Sequence, residues 1–171
     1  MRENAAGIVY RVTDASGNTA VATRTVQVVA APSVPVITVR SGPQTVAKVD
    51  GKYKNVALGL LMLSVTDASD PALSADQVVI AAVWSDEPEI GAGDATRSDI
   101  GIAADCRSVK LRAERRDAGN GRVYTLLLEV TNRSGLTGSA IYQVFVPVDR
   151  SGPAFDDGAA AGHTVAGNCS T

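Results

Sequence analysis

An ungapped internal repeat constrains this chain more than any other feature of its sequence. Residues 5–30 align with residues 123–148 at a constant offset of 118 positions. The identical positions are Val12, Thr13, Ser16, Gly17, Thr19, Ala22, Val26 and Val28, matched by Val130, Thr131, Ser134, Gly135, Thr137, Ala140, Val144 and Val146. Self-similarity at a fixed spacing is typical of tandem structural units. Because only the second copy has a domain-sized segment before it, the sequence predicts one complete domain preceded by an orphan hairpin.

The first copy has the residue pattern of a β-hairpin. Residues 6–13 alternate between apolar and polar side chains, and residues 20–29 alternate again after the turn cluster 14–18. A period of two predicts half-buried strands, and the Asp, Ser and Gly of the cluster favour a tight turn. An isolated hairpin is marginally stable in water, so we expect its apolar face to dock. That predicted assembly face comprises Ile8, Tyr10, Val12, Val26 and Val28.

The remainder of the sequence predicts an all-β domain. Strand-like segments recur at 36–40, 44–49, 55–66, 77–84, 108–116, 122–131 and 139–148, with turn residues between them, and Gly59 is expected either to form a bulge in the third or to bend it. About seven short strands punctuated in this way favour an immunoglobulin-like antiparallel β-sandwich. The predicted divisions are residues 1–30 for the preceding hairpin or donor segment, 31–35 for a proline-containing linker, 36–150 for the sandwich and 151–171 for a flexible C-terminal tail.

Composition excludes several classes of partner. The formal net charge is −2, which gives no electrostatic basis for binding nucleic acid or an anionic membrane. Aromatic residues make up only 4 % of the chain, too few for a base-stacking platform. No apolar run approaches the roughly 18 residues of a membrane span, so we expect no membrane insertion. No signal peptide is visible after Met1.

The segment 85–99 is the best candidate for a metal site. It is rich in carboxylates and glycines, which could supply hard oxygen ligands to calcium. The carboxylates are Asp86, Glu87, Glu89, Asp94 and Asp99. Two interpretations stay open, because Arg97 lies among the acids and a dedicated calcium loop would space its ligands in alternation. The other interpretation is a polar loop leaving the sandwich, and calcium is the single cofactor considered.

Cys106 and Cys169 are far apart and lack the C-x-x-C spacing of a metal site. They are either two free thiols or a disulfide that pins the C-terminal tail to the domain. The disulfide is favoured because Cys169 lies in a Gly/Ala-rich segment that needs an anchor, and such a bond is expected in an exported protein.

The sequence offers little for catalysis. The single histidine, His163, lies in the predicted tail, and no nucleophile elbow accompanies it. The single tryptophan, Trp84, ends an apolar strand, where the sandwich core is its common environment and sugar stacking the minority one. We therefore expect a non-catalytic protein.

Two passages resemble the closing half of bacterial extracellular Ig-like repeats of the hyalin-repeat and surface-protein type. One is YRVTDASGNTAVATRTVQVV, whose turn 13–18 matches the Val-Thr-Asp-x-Ser-Gly-Asn phrase of such repeats. The other runs from WSDEPEIGAGD through LRAER and GNGRVYT to YQVFVPVDR, although its turn at 132–136 departs at the Asp and Asn positions. The resemblance covers 6–29 and most of 76–150. It implies an exported, multi-domain bacterial protein with no single activity.

The sequence therefore predicts a non-catalytic, structural or adhesive Ig-like module at the cell surface. Its expected partners are neighbouring Ig-like repeats or identical chains, and pairing of 1–30 with another chain would give strand complementation and a filament. The favoured explanation of the hairpin is the remnant of a truncated neighbouring repeat. The alternative function is a carbohydrate- or ligand-binding accessory domain of a secreted enzyme, with surface glycans bound near Trp84 and the 85–99 loop.

Overall fold

The computed structural model describes residues 4–28, 31–46, 50–89, 98–116, 119–148 and 154–169, and within them the chain is all-β. The strands are β1 (Asn4–Thr13), β2 (Thr19–Val28), β3 (Val36–Val39), β4 (Gln44–Thr45), β5 (Tyr53–Ala57), β6 (Leu63–Thr66), β7 (Val79–Ser85), β8 (Ile100–Ile102), β9 (Ser108–Arg112), β10 (Arg122–Thr131), β11 (Thr137–Val146) and β12 (His163–Ala166). Short 3-10 helices span Leu58–Leu60, Ala75–Gln77 and Ala159–Ala161. None of the described segments forms a helix long and apolar enough to cross a membrane.

Antiparallel pairing dominates the sheets. Strands β1 and β2 form a two-stranded sheet of their own, as the hairpin pattern predicted. The other sheets have the orders β12-β7-β10-β11-β4, β5-β9-β8 and β3-β6. The pairing of β11 with the two-residue β4 is parallel, whereas the remaining pairs are antiparallel. This arrangement is consistent with a β-sandwich, which confirms the all-β prediction.

One hydrophobic core joins the five-stranded sheet to the smaller sheets. The inward residues of β10 include Leu126 and Leu128, both fully buried. They belong to the same apolar cluster as Val109 and Leu111 of β9 and Ile37 of β3. Alternation along each strand places these side chains on one face, so burial of that face holds the sheets together.

The predicted third strand, residues 55–66, is divided in two. A 3-10 turn at Leu58–Leu60 separates β5, which pairs with β9, from β6, which pairs with β3. Leu58 is buried in this turn, so the break keeps an apolar anchor in the core. The bend expected at Gly59 is therefore present, as a 3-10 turn.

The C-terminal segment differs from the predicted flexible tail. Residues 163–166 form β12, which pairs with the free edge of β7. Glycines flank this strand, and a Cβ at either Gly162 or Gly167 would overlap backbone oxygens of the β7 segment. Cys169 is then joined to Cys106 by a disulfide. Because glycine has no Cβ, both ends of β12 can lie close to the backbone of β7. The segment is therefore the fifth strand of the sheet that contains β7.

We expect removal of the disulfide to release this C-terminal strand selectively. The bond closes a loop across a sequence separation of 63 residues, and constraining such a loop stabilises a small domain by about 2–4 kcal/mol. The double variant Cys106→Ser, Cys169→Ser should therefore melt at a lower temperature than the wild type. Hydrogen exchange should show β12 losing protection before β10 and β11 do. Equal protection of all three strands in the variant would contradict an anchoring role.

Candidate functional site

The predicted assembly face of the hairpin is a continuous exposed surface. Side chains from Ala6 to Gln27 are all exposed. Ile8, Tyr10 and Val12 share one face of β1, with exposed fractions of 45 %, 53 % and 67 %. The register pairs Ala6 with Val26, which places Val26 on the same face, and Val28 lies opposite Asn4. Apolar side chains on an exposed two-stranded sheet have lost little contact with water, so burying them remains favourable.

The hairpin is a structural copy of β10–β11, in register as well as in sequence. Its pairs run from Asn4 opposite Val28 to Thr13 opposite Thr19. Adding 118 to each number reproduces the pairs of β10 and β11, from Arg122 opposite Val146 to Thr131 opposite Thr137.

The turns of the two hairpins also share their hydrogen bonds. Asp14 Oδ1 accepts from the amides two and four residues on, and Asn132 Oδ1 does the same. Gly17 and Gly135 both have positive φ, at 86° and 78°. A short polar side chain followed three residues later by glycine therefore sets the same turn twice.

Equivalent positions in the two hairpins have opposite environments. Leu126, Leu128 and Val130 occupy the places of Ile8, Tyr10 and Val12, and their exposed fractions are 0 %, 0 % and 2 %. They are covered by the strands that precede them in the chain. The same pattern that is a core in the second copy is thus a solvent-exposed surface in the first.

Hydrogen bonds of Asn132 with Ser33 and Asp67, called the Asn132 lock below, join the β10–β11 turn to the start of the domain. Asn132 Nδ2 donates to the Ser33 carbonyl and to Asp67 Oδ2, each at 2.7 Å. Hydrogen bonds from Asn132 and Ser33 hold the pKa of Asp67 well below its usual value. The carboxylate therefore stays ionised and keeps both donors in place.

The acidic segment is organised around a buried arginine that the sequence analysis missed. Arg122 has no exposed surface, and its guanidinium contacts Asp99 Oδ2, Glu87 Oε2 at 3.2 Å and the Pro88 carbonyl at 3.0 Å. Asp86 Oδ1 accepts from the Val123 amide at 2.8 Å instead. Arg122 shares its strand parity with Leu126 and Leu128, which is the sequence signal that it faces inward.

Two further charged residues complete this Arg122 cluster, which consists of Glu87, Asp99, Arg112, Glu114 and Arg122. Arg112 Nε lies 3.0 Å from Glu114 Oε2, and its Nη1 lies 3.9 Å from Asp99 Oδ1. Tyr124 donates its hydroxyl to the Arg112 carbonyl at 2.9 Å. Burial raises the pKa of Tyr124, against the opposing effect of Arg122, so the hydroxyl keeps its proton.

The cluster holds two cations and three carboxyls, one negative charge too many for a buried site. Glu114 Oε1 and Asp99 Oδ1 are both buried without a hydrogen-bond partner. Desolvation, followed by the interaction with Asp99, raises the pKa of Glu114. A proton on Glu114 that is donated towards Asp99 would balance the charge and give both oxygens a hydrogen bond.

The structure does not gather the predicted calcium ligands around one point. Three of them, Asp86, Glu87 and Asp99, accept hydrogen bonds from Val123 or Arg122. Glu89 Oε1 accepts from the Ser98 hydroxyl, and Asp94 lies outside the described residues. Within the described ranges, no group of three or more His, Cys, Asp or Glu side chains could hold a metal ion.

Trp84 and His163 lie apart from the core. Trp84 pairs in register with Thr125 and Thr164, and its side chain is half-buried on the outer face of the five-stranded sheet. Core burial, the common environment expected for this tryptophan, does not apply, since it is outside the apolar cluster. His163 contacts the Glu87 carbonyl and the Glu89 carboxylate, each at 3.4 Å.

No protein-family model, curated protein or solved structure matches this chain. Its fold and its surfaces are therefore the observations that bear on its function.

Substitution of Arg122 should be severely destabilising. Arg122→Met leaves Glu87 and Asp99 buried without their principal cation, and removing one partner of such a pair costs about 3–5 kcal/mol. Arg133→Met is the control, because the Arg133 side chain is 76 % exposed and water can take its place beside the buried Asp70, so its loss should cost less stability than the loss of Arg122. Urea unfolding measures both, and similar losses would contradict a structural role for the cluster.

The proton on Glu114 makes stability depend on pH in a defined direction. Because the folded pKa of Glu114 lies above its ordinary value of 4.5, the folded state binds the proton more tightly than the unfolded state. The stabilisation that comes from this tighter binding is fully present below the ordinary pKa of Glu114 and is lost as pH rises through its folded pKa. Glu114→Gln mimics the protonated carboxyl, so the variant should gain on the wild type between pH 4.5 and neutrality. A difference independent of pH would contradict a proton held on Glu114.

Proposed function

We propose that the chain is a non-catalytic structural or adhesive module of an exported protein built from tandem Ig-like repeats. The observation that carries this proposal is the hairpin β1–β2, which repeats the register and turn of the closing hairpin β10–β11 at an offset of 118 residues. A closing hairpin repeated at a fixed spacing is typical of sandwiches in tandem. Its role is mechanical, because each unit presents a surface that the next segment completes.

The strand order supports the Ig-like assignment. One side of an Ig sandwich has the order A-B-E-D and the other C-F-G. Here β3 pairs with β6, and β5 pairs with β9 and then β8, which gives the first order when β5 and β6 are two halves of strand B. Strands β7, β10 and β11 give the second order. The disulfide lies elsewhere than the bridge between strands B and F of antibody domains, so it is a feature of this chain's C-terminal strand.

The disulfide also supports an extracellular location. Such bonds persist in oxidising compartments and are rare where thiols are kept reduced. The bond between Cys106 and Cys169 clamps a short strand to the edge of β7, so a reducing compartment would put that strand at risk.

In this function the hairpin face completes a sandwich with a segment outside the hairpin. That segment belongs either to the same polypeptide or to a neighbouring chain, and in the second case the contact is strand complementation. If the neighbouring chain were identical, a contact of this kind between different surfaces would not close on itself and would propagate into a filament.

Neighbouring residues on opposite hairpin faces offer a matched test. Tyr10 is on the assembly face, whereas Val9, 60 % exposed, is on the other. In the 171-residue chain neither Tyr10→Asp nor Val9→Asp should change the melting temperature, because both side chains contact water. In the protein assembled in its native source, Tyr10→Asp should lower the melting temperature by burying a charge, and Val9→Asp should have little effect.

Leu128→Asp, at the position equivalent to Tyr10, is the positive control and should unfold the sandwich in both preparations. Equal tolerance of Tyr10→Asp and Val9→Asp in the native assembly would contradict the proposed function.

A further inference from the structure

The two hairpins are equivalent in backbone but differ at the positions that lock a closing hairpin to its domain. The register makes the comparison residue by residue. Positions that only fill the core are apolar in both, for example Val26 and Val144. Five positions that make polar or close-packed contacts with the rest of the domain in the second copy carry different residues in the first.

The first difference is at the buried arginine. Asn4 occupies the register position of Arg122. A hairpin carrying asparagine there, placed on a copy of this domain, would leave Glu87 and Asp99 without the guanidinium that binds both. Buried carboxylates that lose their cation are strongly destabilising. Ala6, in the place of Tyr124, also lacks the hydroxyl that donates to the Arg112 carbonyl.

The second difference is at the turn. Asp14 occupies the position of Asn132, whose amide nitrogen donates to the Ser33 carbonyl and to Asp67. A carboxylate has no donor at neutral pH. Asp14 would therefore place a negative charge against the ionised Asp67 and against a carbonyl oxygen.

The third difference is steric. Gly138 lies so close to the linker that a Cβ built on it would overlap the Pro35 carbonyl oxygen. Ala20 occupies this position in the hairpin and carries that Cβ. Arg24, in the place of Tyr142, adds a cation where the second copy has a side chain only 6 % exposed.

We propose that the hairpin face docks onto the opening half of a non-identical Ig-like sandwich and not onto a second copy of this chain. The partner offers hydrogen-bond donors around Asp14, where this domain has Ser33 and Asp67. It leaves room for Ala20 and has no buried acidic cluster opposite Asn4. This inference rests on the proposed function, which supplies the equivalence of the two hairpins.

Sedimentation velocity of the wild-type chain gives the first test. The chain alone should stay monomeric as its concentration is raised, with β1 and β2 exchanging their amide hydrogens rapidly. Concentration-dependent oligomers in which the hairpin becomes protected would overturn the proposal, because a second copy would then be an acceptable partner.

Replacing the sequence of β10–β11 by that of β1–β2 within the full chain tests the three differences directly. In one variant, residues 122–146 are replaced by the sequence of residues 4–28, which has the same length. The second variant is the same transplant with the five original residues kept at positions 122, 124, 132, 138 and 142. We expect the first to lose cooperative unfolding and the second to regain it at a lower melting temperature than the wild type.

The outcomes separate the two proposals. Cooperative unfolding of both transplants would overturn the non-identical partner and leave the hairpin equivalence intact. Failure of both would overturn the equivalence itself, and with it the proposed function. Recovery only in the variant that keeps the five original residues supports both.

Discussion

Burial of one apolar sheet face by a second sheet is the interaction on which this structure depends. Strands β10 and β11 supply that face with Leu126, Leu128 and Val144, all fully buried. Removing such a side chain from water contributes about 1.5–3 kcal/mol, so a few of them decide whether the closing hairpin stays docked. The hairpin β1–β2 has the same backbone and a matching face without that cover. Its exposed face is therefore the surface on which the proposed assembly function rests.

The Arg122 cluster has a different role from the apolar face. Burying Glu87, Asp99 and Arg122 costs desolvation energy that their mutual attraction only partly offsets, so the cluster is a poor source of stability. The cluster instead discriminates between strands that could occupy the place of β10. A strand without a cation at the position of Arg122 leaves the carboxylates of Glu87 and Asp99 unpaired. Together with the Asn132 lock and the close approach of Gly138 to Pro35, the cluster selects β10–β11 over a hairpin of the same shape. Apolar contacts provide affinity in this fold, and polar and steric contacts provide selectivity.

Sequence patterns predicted the features that depend on local periodicity. The bounds of β10 agree with the predicted 122–131, and the repeat located the hairpin and its partner pattern. Strand β8 was missed because three residues are too few to show alternation. Strand β12 was missed because its pairing with β7 is a long-range contact that the Gly/Ala-rich composition around it conceals. The Arg122 cluster was missed because the acids and the arginine come from distant segments, although the parity of Arg122 within β10 points inward.

Photo-crosslinking from the hairpin face tests the account most directly. A photoreactive amino acid is placed at position 10 in the protein within its native assembly, with position 9 on the opposite face as the control. The account predicts cross-links from position 10 to apolar strand residues outside β1 and β2, and few from position 9. Equal cross-linking from the two positions, or none beyond the hairpin itself, would contradict the claim that this face completes a sandwich.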